Sequence, residues 1–167
     1  MPLTNVHRWL FFALLCGVCL GVAGFTFDYA EGTSYLSRDP RACANCHIMQ
    51  SQFDGWQKAS HHTVAVCADC HLPQHGLEKW IAKASNGYRH SKTFTFQDFV
   101  EPIHMTARNA EILQANCERC HADLLHDQLA SRREDDPLSC VHCHRSVGHG
   151  PRAAMGGFDT TPPLEKP

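Results

Sequence analysis

Four copies of the pattern Cys-x-x-Cys-His occur in this chain of 167 residues. Each copy places two thiols and an imidazole within five consecutive residues. This is the attachment signature of a c-type haem, whose porphyrin bonds covalently to both thiols while the histidine lies beneath the iron. The spacing therefore predicts four covalently bound c-type haems. The predicted attachment thiols are Cys43, Cys46, Cys67, Cys70, Cys117, Cys120, Cys140 and Cys143.

Other uses of paired cysteines fit the pattern less well. Zinc sites and redox-active dithiols share the Cys-x-x-Cys spacing, and a disulfide framework also uses many cysteines. None of the three requires a histidine after every second cysteine. The remaining pair, Cys16 and Cys19, is followed by Leu20 inside an apolar run, so we interpret these two residues as small hydrophobic side chains.

Each haem iron has two axial positions, and a motif histidine fills only one of them. The motif histidines His71, His121 and His144 are predicted proximal ligands. Candidates for the opposite faces are His62, with His61 as its alternative, together with two histidines that each follow a motif histidine by five residues. Those two are His126 and His149. The distal ligands need not serve the haem that is nearest in sequence.

The first motif differs because it continues as Cys46-His47-Ile48-Met49. His47 and Met49 are too close in sequence to reach opposite faces of one haem easily. They therefore compete for one face, unless Met49 only packs on the ring. A methionine ligand would raise the reduction potential of that haem.

An uncharged apolar run from Trp9 to Phe27 has the length of a transmembrane helix. Arg8 precedes it and acidic residues follow it, which favours an internal N-terminus. A cleaved signal peptide is the alternative, but no Ala-x-Ala site follows the run. We expect an inner-membrane anchor with the haem domain on the periplasmic side, where haem is attached covalently.

The remaining sequence predicts a mainly α protein in which short helices wrap around the haems of a small tetrahaem cytochrome domain. Little side-chain periodicity is available to build a core, so the porphyrins would supply apolar bulk. A net charge of −2 gives no reason to expect nucleic-acid binding. Predicted helices cover about 8–30, 77–91 (mainly its first half, before Gly87), 106–117 and 124–133. The predicted domains are an anchor at 1–30, a haem domain at 31–150 with dihaem modules at about 43–71 and 117–149, and an extended tail at 151–167.

Longer stretches of the chain resemble the NapC/NirT family of membrane-bound quinol dehydrogenases. The stretches that carry the resemblance extend from the anchor to about Gly150 and include the extended first motif. They are SYLSRDP with CANCHIM, SHHTVAVCADCHLP, KASNGYRHSKTFTF, ANCERCH and CHRSVGHG.

The resemblance implies a tetrahaem enzyme that takes electrons from menaquinol at its first haem and passes them to a periplasmic pentahaem nitrite reductase, which forms ammonium. It implies Met49 as the first iron's axial ligand, and Lys83 and His90 as polar residues of the quinol pocket. His90 could hydrogen-bond the quinol or approach the first iron, and both residues could accept protons. Asp98 is a further candidate for that role. It also implies that one haem can take its distal ligand from the partner subunit.

Two other functions fit the same motifs. A general member of the family would feed other reductases, and a tethered relay cytochrome would never contact quinol. An irregularly coordinated first iron that responds to quinol analogues distinguishes a dehydrogenase from a relay.

Overall fold

The computed structural model describes the backbone of residues 3–98, 103–125 and 139–155. These parts of the chain form helices and connecting turns and contain no strand, which confirms the predicted mainly α class. Two short 3₁₀ helices, Gly32–Leu36 and His47–Met49, accompany the α-helices. The α-helices are α1 (Leu3–Tyr29), α2 (Arg41–Ala44), α3 (Gln50–Gln57), α4 (Cys67–His71), α5 (Gly76–Phe96), α6 (Ala107–Cys120), α7 (Cys140–Cys143) and α8 (Ser146–Met155).

Helix α1 belongs to the first of two compact units, Met1–Ser37. The apolar run makes it the one helix in the described part of the chain that is long and apolar enough to cross a membrane, by length and composition. After α1 the chain turns back through Gly32–Leu36, and Gly32 lies against the ring of Phe27, where a Cβ atom would collide with it. The unit extends to Ser37, beyond the anchor boundary predicted at residue 30.

The second unit, Arg38–Pro167, contains the four motifs. Within it α3 packs against α8, α4 packs against α6, and α6 contacts α7. Among the described residues the only buried hydrophobic side chain is Ala82, and no large side chain is fully buried. The described helices therefore pack together with almost no side-chain core of their own.

Two helices run further than predicted. Helix α5 continues through Gly87 to Phe96 and ends where Gln97 adopts the left-handed conformation, with φ at 54°. The first residue of the second predicted helix, Thr106, is the N-cap of α6, and its hydroxyl accepts a hydrogen bond from the backbone N–H of Asn109 at 3.3 Å. The helix then continues through the third motif to Cys120, because the motif itself adopts helical geometry.

The predicted C-terminal boundary is wrong in one respect. Residues 151–155 are the last part of α8 rather than an extended tail. Of the helix predicted at 124–133, only the first two residues lie within the described chain, where residues 122–125 are helical.

Candidate haem-binding site

Helical turns place the two thiols of motifs 2, 3 and 4 on one side of the backbone, whereas Cys46 of motif 1 has an extended backbone beyond the end of α2. Motif 2 forms the whole of α4, and motif 4 forms α7 together with its C-cap, His144. Motif 3 ends α6, and motif 1 runs from the end of α2 to the start of the following 3₁₀ turn. Residues three apart on a helix lie on the same face, so each thiol pair of these three helical motifs can reach one group. None of the eight motif cysteines forms a disulfide.

The four motifs contact one another in the order of the sequence. Cys43 of motif 1 and Cys67 of motif 2 share a hydrogen bond, which lowers the pKa of Cys43 and raises that of Cys67. Asn116, next to motif 3, donates to the carbonyl oxygens of Cys70 and Leu72 at the end of motif 2. Motif 3 in turn lies close to motif 4, because α6 also bonds to Cys140. The attachment points therefore form a continuous series.

A second series of contacts brings histidine rings together in pairs. The rings of His71 and His149 have centroids 5.9 Å apart, with 31° between their planes. Nδ1 of His149 lies 2.9 Å from the carbonyl oxygen of Gln52. Such a bond keeps the proton on Nδ1 and leaves the Nε2 lone pair for a metal. Burial, followed by the nearby His149, lowers the pKa of His71 to about 4, which favours the neutral form that metals bind.

The second pair consists of His61 and His121, whose ring centroids are 6.0 Å apart. Nδ1 of His61 lies 3.2 Å from the carbonyl oxygen of Val147, so this ring has the same kind of support as His149. The predicted ligand His62 is exposed and packs edge-on against Trp56, with centroids 4.7 Å apart. The geometry thus favours the alternative, His61, over His62.

Two imidazoles that bind one metal ion, at roughly 2 Å each, have ring centroids about 6 Å apart. Both pairs match this separation. His144 is exposed, and no histidine ring faces it among residues 3–98, 103–125 and 139–155. The candidate His126 lies outside the described residues, so the distal ligand at motif 4 stays a prediction.

At motif 1 the side chains of His47 and Met49 share one 3₁₀ turn. Met49 is half-buried, whereas His47 is exposed. Their shared turn agrees with the prediction that they compete for one face of a haem. No ring pair of the kind found at motifs 2 and 3 involves His47 in the described chain.

Lys83 lies close to motif 1. The residue is only 5% exposed, and its charge lowers the pKa of the Cys43 thiol. Burial, together with the neighbouring charge of Lys79, lowers the pKa of Lys83 itself. Its ammonium group lies 5.8 Å from the ring centroid of Trp80. A buried amine with a lowered pKa can take up a proton.

His90 lies two turns beyond Lys83 on the same face of α5. It is exposed, yet partial desolvation and the charge of Arg89 lower its pKa. Asp98, the third candidate, is exposed just beyond the end of the helix. The quinol-pocket residues implied by the resemblance, Lys83 and His90, are thus carried by α5, and the charge of Lys83 acts on the Cys43 thiol of motif 1.

The residues fit covalently bound haem. The motif cysteines stand in pairs and form no disulfide. Two imidazole pairs have the separation expected of two ligands to one metal ion. The described part of the domain has almost no side-chain core that a porphyrin would have to displace. Apolar side chains that stay exposed around the motifs would be covered by such a group. Sequence reasoning found these residues but missed the side-chain amides of α6 that contact motifs 2 and 4, because amides in a helix form no recognisable motif.

Comparisons with known proteins agree with these observations. The model of the NapC/NirT cytochrome c family, N-terminal region, matches residues 4–154. The cytochrome c-type protein NrfH of Wolinella succinogenes is 35% identical over 158 residues, covering 87% of this chain and 89% of that protein. A chain in the crystal structure of the cytochrome c nitrite reductase NrfHA complex bound to the HQNO inhibitor is 26% identical, with a TM-score of 0.58 over 86% of this chain and 90% of the other.

Proposed function

Because the chain belongs to the NapC/NirT cytochrome c family, we propose that it is a membrane-bound tetrahaem menaquinol dehydrogenase. Its electrons pass to a pentahaem nitrite reductase that forms ammonium, and this chain does not itself reduce nitrite. The names of the two relatives, NrfH and the NrfHA nitrite reductase complex, support this choice of partner. The anchor holds the protein in the inner membrane with the haem domain on the periplasmic side.

The burial of Lys83, together with the effect of its charge on the Cys43 thiol, carries the proposal. A nearly buried amine stands at the first motif, from which the motif contacts run in order to the fourth. Motif 1 is also the motif nearest in sequence to the anchor helix. A proton acceptor therefore lies where the series of attachment sites begins, as oxidation of a lipid-soluble quinol requires.

Oxidation of a quinol to a quinone releases two electrons and two protons. Haem c, bound at the four motifs, supplies one-electron redox chemistry. Lys83 and His90 accept the protons, and the lowered pKa of each increases the fraction that is neutral and able to accept. The indole of Trp80 lies beside the ammonium group of Lys83 and helps to hold it in place.

The chain's own side chains hold the four cofactors. The eight motif thiols bind them covalently, His71 with His149 and His121 with His61 supply two ligand pairs, and Met49 serves the first motif. His144 supplies one ligand at the fourth motif. Its opposite ligand is His126 or a residue of the partner subunit.

The test is the reduction of the purified complex in liposomes by a menaquinol analogue, followed by haem absorbance. We expect complete reduction that HQNO inhibits. Lys83→Met should slow quinol-dependent reduction by about tenfold or more, as expected for loss of a proton acceptor, whereas dithionite should still reduce all four haems. Lys92→Met is the matched control, because Lys92 is an exposed lysine on the same helix.

Other results would favour the competing functions. A wild-type protein that quinol cannot reduce, but that another redox protein can, would be a tethered relay. Reduction by quinol without transfer to nitrite reductase would indicate a family member that serves other reductases.

A further inference from the structure

Helix α6 lies between two of the other motifs and bonds to both through side-chain amides. It packs against α4 and contacts α7, and its C-terminal residues belong to motif 3. Gln114 and Asn116 are two residues apart and so point to opposite sides of the helix. Asn116 faces motif 2, and Gln114 faces motif 4.

Asn116 is one of only two buried polar or charged residues in the described chain, at 7% exposure. Its Nδ2 donates to the carbonyl oxygen of Cys70 at 3.0 Å and to that of Leu72 at 2.9 Å. These carbonyls lie immediately before and after His71 in the sequence. One buried amide thus holds the backbone on both sides of a motif histidine while the next residue, Cys117, begins motif 3.

Gln114 makes an equivalent connection to motif 4. Its Oε1 accepts a hydrogen bond from the backbone N–H of Cys140 at 2.8 Å, and its Nε2 lies 3.2 Å from Sγ of the same cysteine. The Nε2 group also donates to Glu118, which restrains the side chain from its own helix. The first thiol of motif 4 is therefore fixed by a residue that stands one turn before motif 3.

We propose that Asn116 and Gln114 are positioning residues that set the second and fourth haems relative to the third. This inference rests on the proposed function, since it assumes that the motifs carry haem for electron transfer. Asn116 acts by fixing the orientation of His71, and Gln114 acts by fixing the Cys140 attachment point. Groups that hold a metal ligand in place commonly tune its orientation.

The first test is Asn116→Asp, which keeps the size of the side chain but removes both donated hydrogen bonds. We expect the electron paramagnetic resonance signal and the midpoint potential of the haem bound by His71 and His149 to shift. The matched control is Asn109→Asp. Asn109 is on the same face of α6, and its side-chain amide donates to Asn86 of α5 at 3.1 Å rather than to a motif residue. Its spectrum and potentials should equal those of the wild type.

The second test is Gln114→Glu, which keeps the acceptor for the Cys140 N–H and loses the donor to its sulfur. The shift should be largest for the haem at motif 4, with a smaller one at motif 3, because Glu118 of that motif loses its hydrogen bond from Gln114. If Asn116→Asp fails to bind a haem, mass spectrometry of the haem peptides decides the matter. Loss confined to motifs 2 and 3 supports positioning, whereas equal loss at all four motifs would indicate a general role in folding and overturn it.

Fully loaded variants with wild-type spectra and potentials would also overturn the inference. None of these measurements uses quinol, so they separate the two proposals. A wild-type protein that menaquinol cannot reduce, but in which Asn116→Asp still shifts the signal, would refute the quinol dehydrogenase and leave the positioning role intact.

Discussion

Two histidines of this protein receive the same support from distant parts of the chain. Nδ1 of His149 bonds to the carbonyl of Gln52, and Nδ1 of His61 bonds to that of Val147. The first bond joins α8 to α3, and the second joins α8 to the segment that follows α3. The packing of these elements therefore sets the tautomer of both rings, and each Nε2 stays available to iron.

His61→Ala should convert one low-spin haem to a high-spin or five-coordinate form, because the ring that faces His121 is removed. Electron paramagnetic resonance and near-infrared spectra of the oxidised protein measure this change. His62→Ala is the control and should retain the wild-type low-spin signals. A spectrum altered by His62→Ala but not by His61→Ala would restore the ligand first predicted from the sequence.

The pH dependence of quinol oxidation should depend on His90. Desolvation places the pKa of His90 below its ordinary value of 6.5, and only the neutral ring accepts a proton. The rate should therefore rise as pH increases through this lowered pKa and level off above it. His90→Gln should remove that rise in a pH profile of quinol-dependent haem reduction. An unchanged profile would show that another group causes the rise of the rate with pH.

The residues that could be predicted from sequence are those whose chemistry depends on short spacing. Eight cysteines and the motif histidines follow directly from five-residue patterns. The choice between His61 and His62 does not, because it depends on a carbonyl at Val147, in a distant part of the chain. Asn116 escaped prediction for the same reason, since its partners are Cys70 and Leu72.

At the scale of helices, local propensity was a weaker guide than contacts. Gly87 was expected to weaken α5, and a glycine inside a helix costs roughly 1 kcal/mol. The helix nevertheless continues to Phe96, and the bond between Asn86 and Asn109 fixes it to α6 beside this glycine. Tertiary contacts of this kind outweigh such a cost.

Helix α8 contains a break that only glycine tolerates. Gly150 has φ at 70° and ψ at 173°, and a Cβ atom there would lie 3.5 Å from the carbonyl oxygen of Gly55. Since L-residues rarely adopt this conformation, Gly150→Ala should destabilise the folded protein by about 1–3 kcal/mol. Thermal unfolding of the haem-loaded protein provides the measurement.

Gly148 is the control for this substitution, because it lies in the same helix with open space around its Cα. Gly148→Ala should leave stability unchanged or increase it by up to about 1 kcal/mol. Equal destabilisation by both variants would show that α8 tolerates no added side chain, and the conformation of Gly150 would not be the cause. The Gly150 variant should also weaken the signal of the haem that His149 serves.

At the scale of the whole molecule, the described part of the haem domain has almost no apolar core of its own. Ala82 is the sole buried hydrophobic residue in the part that the structure describes, while many large apolar side chains are exposed. Burial of apolar surface is the main favourable term in folding, and a domain without it cannot offset its conformational entropy. Four porphyrins would supply the missing apolar surface, so haem attachment and folding should be coupled.

Replacement of the eight motif cysteines by alanine should therefore leave residues 38–167 without a cooperative fold. Circular dichroism in detergent should show most of the helical signal outside α1 lost, and hydrogen exchange should find the amides of α5 and α6 unprotected. Helix α1 should remain protected, because its backbone bonds are satisfied within the helix and it needs no haem. Cys16→Ala with Cys19→Ala is the matched control, since these thiols lie outside every motif. A haem-free domain that unfolds in one sharp transition would show that its side chains suffice, and the coupling of haem attachment to folding would be wrong.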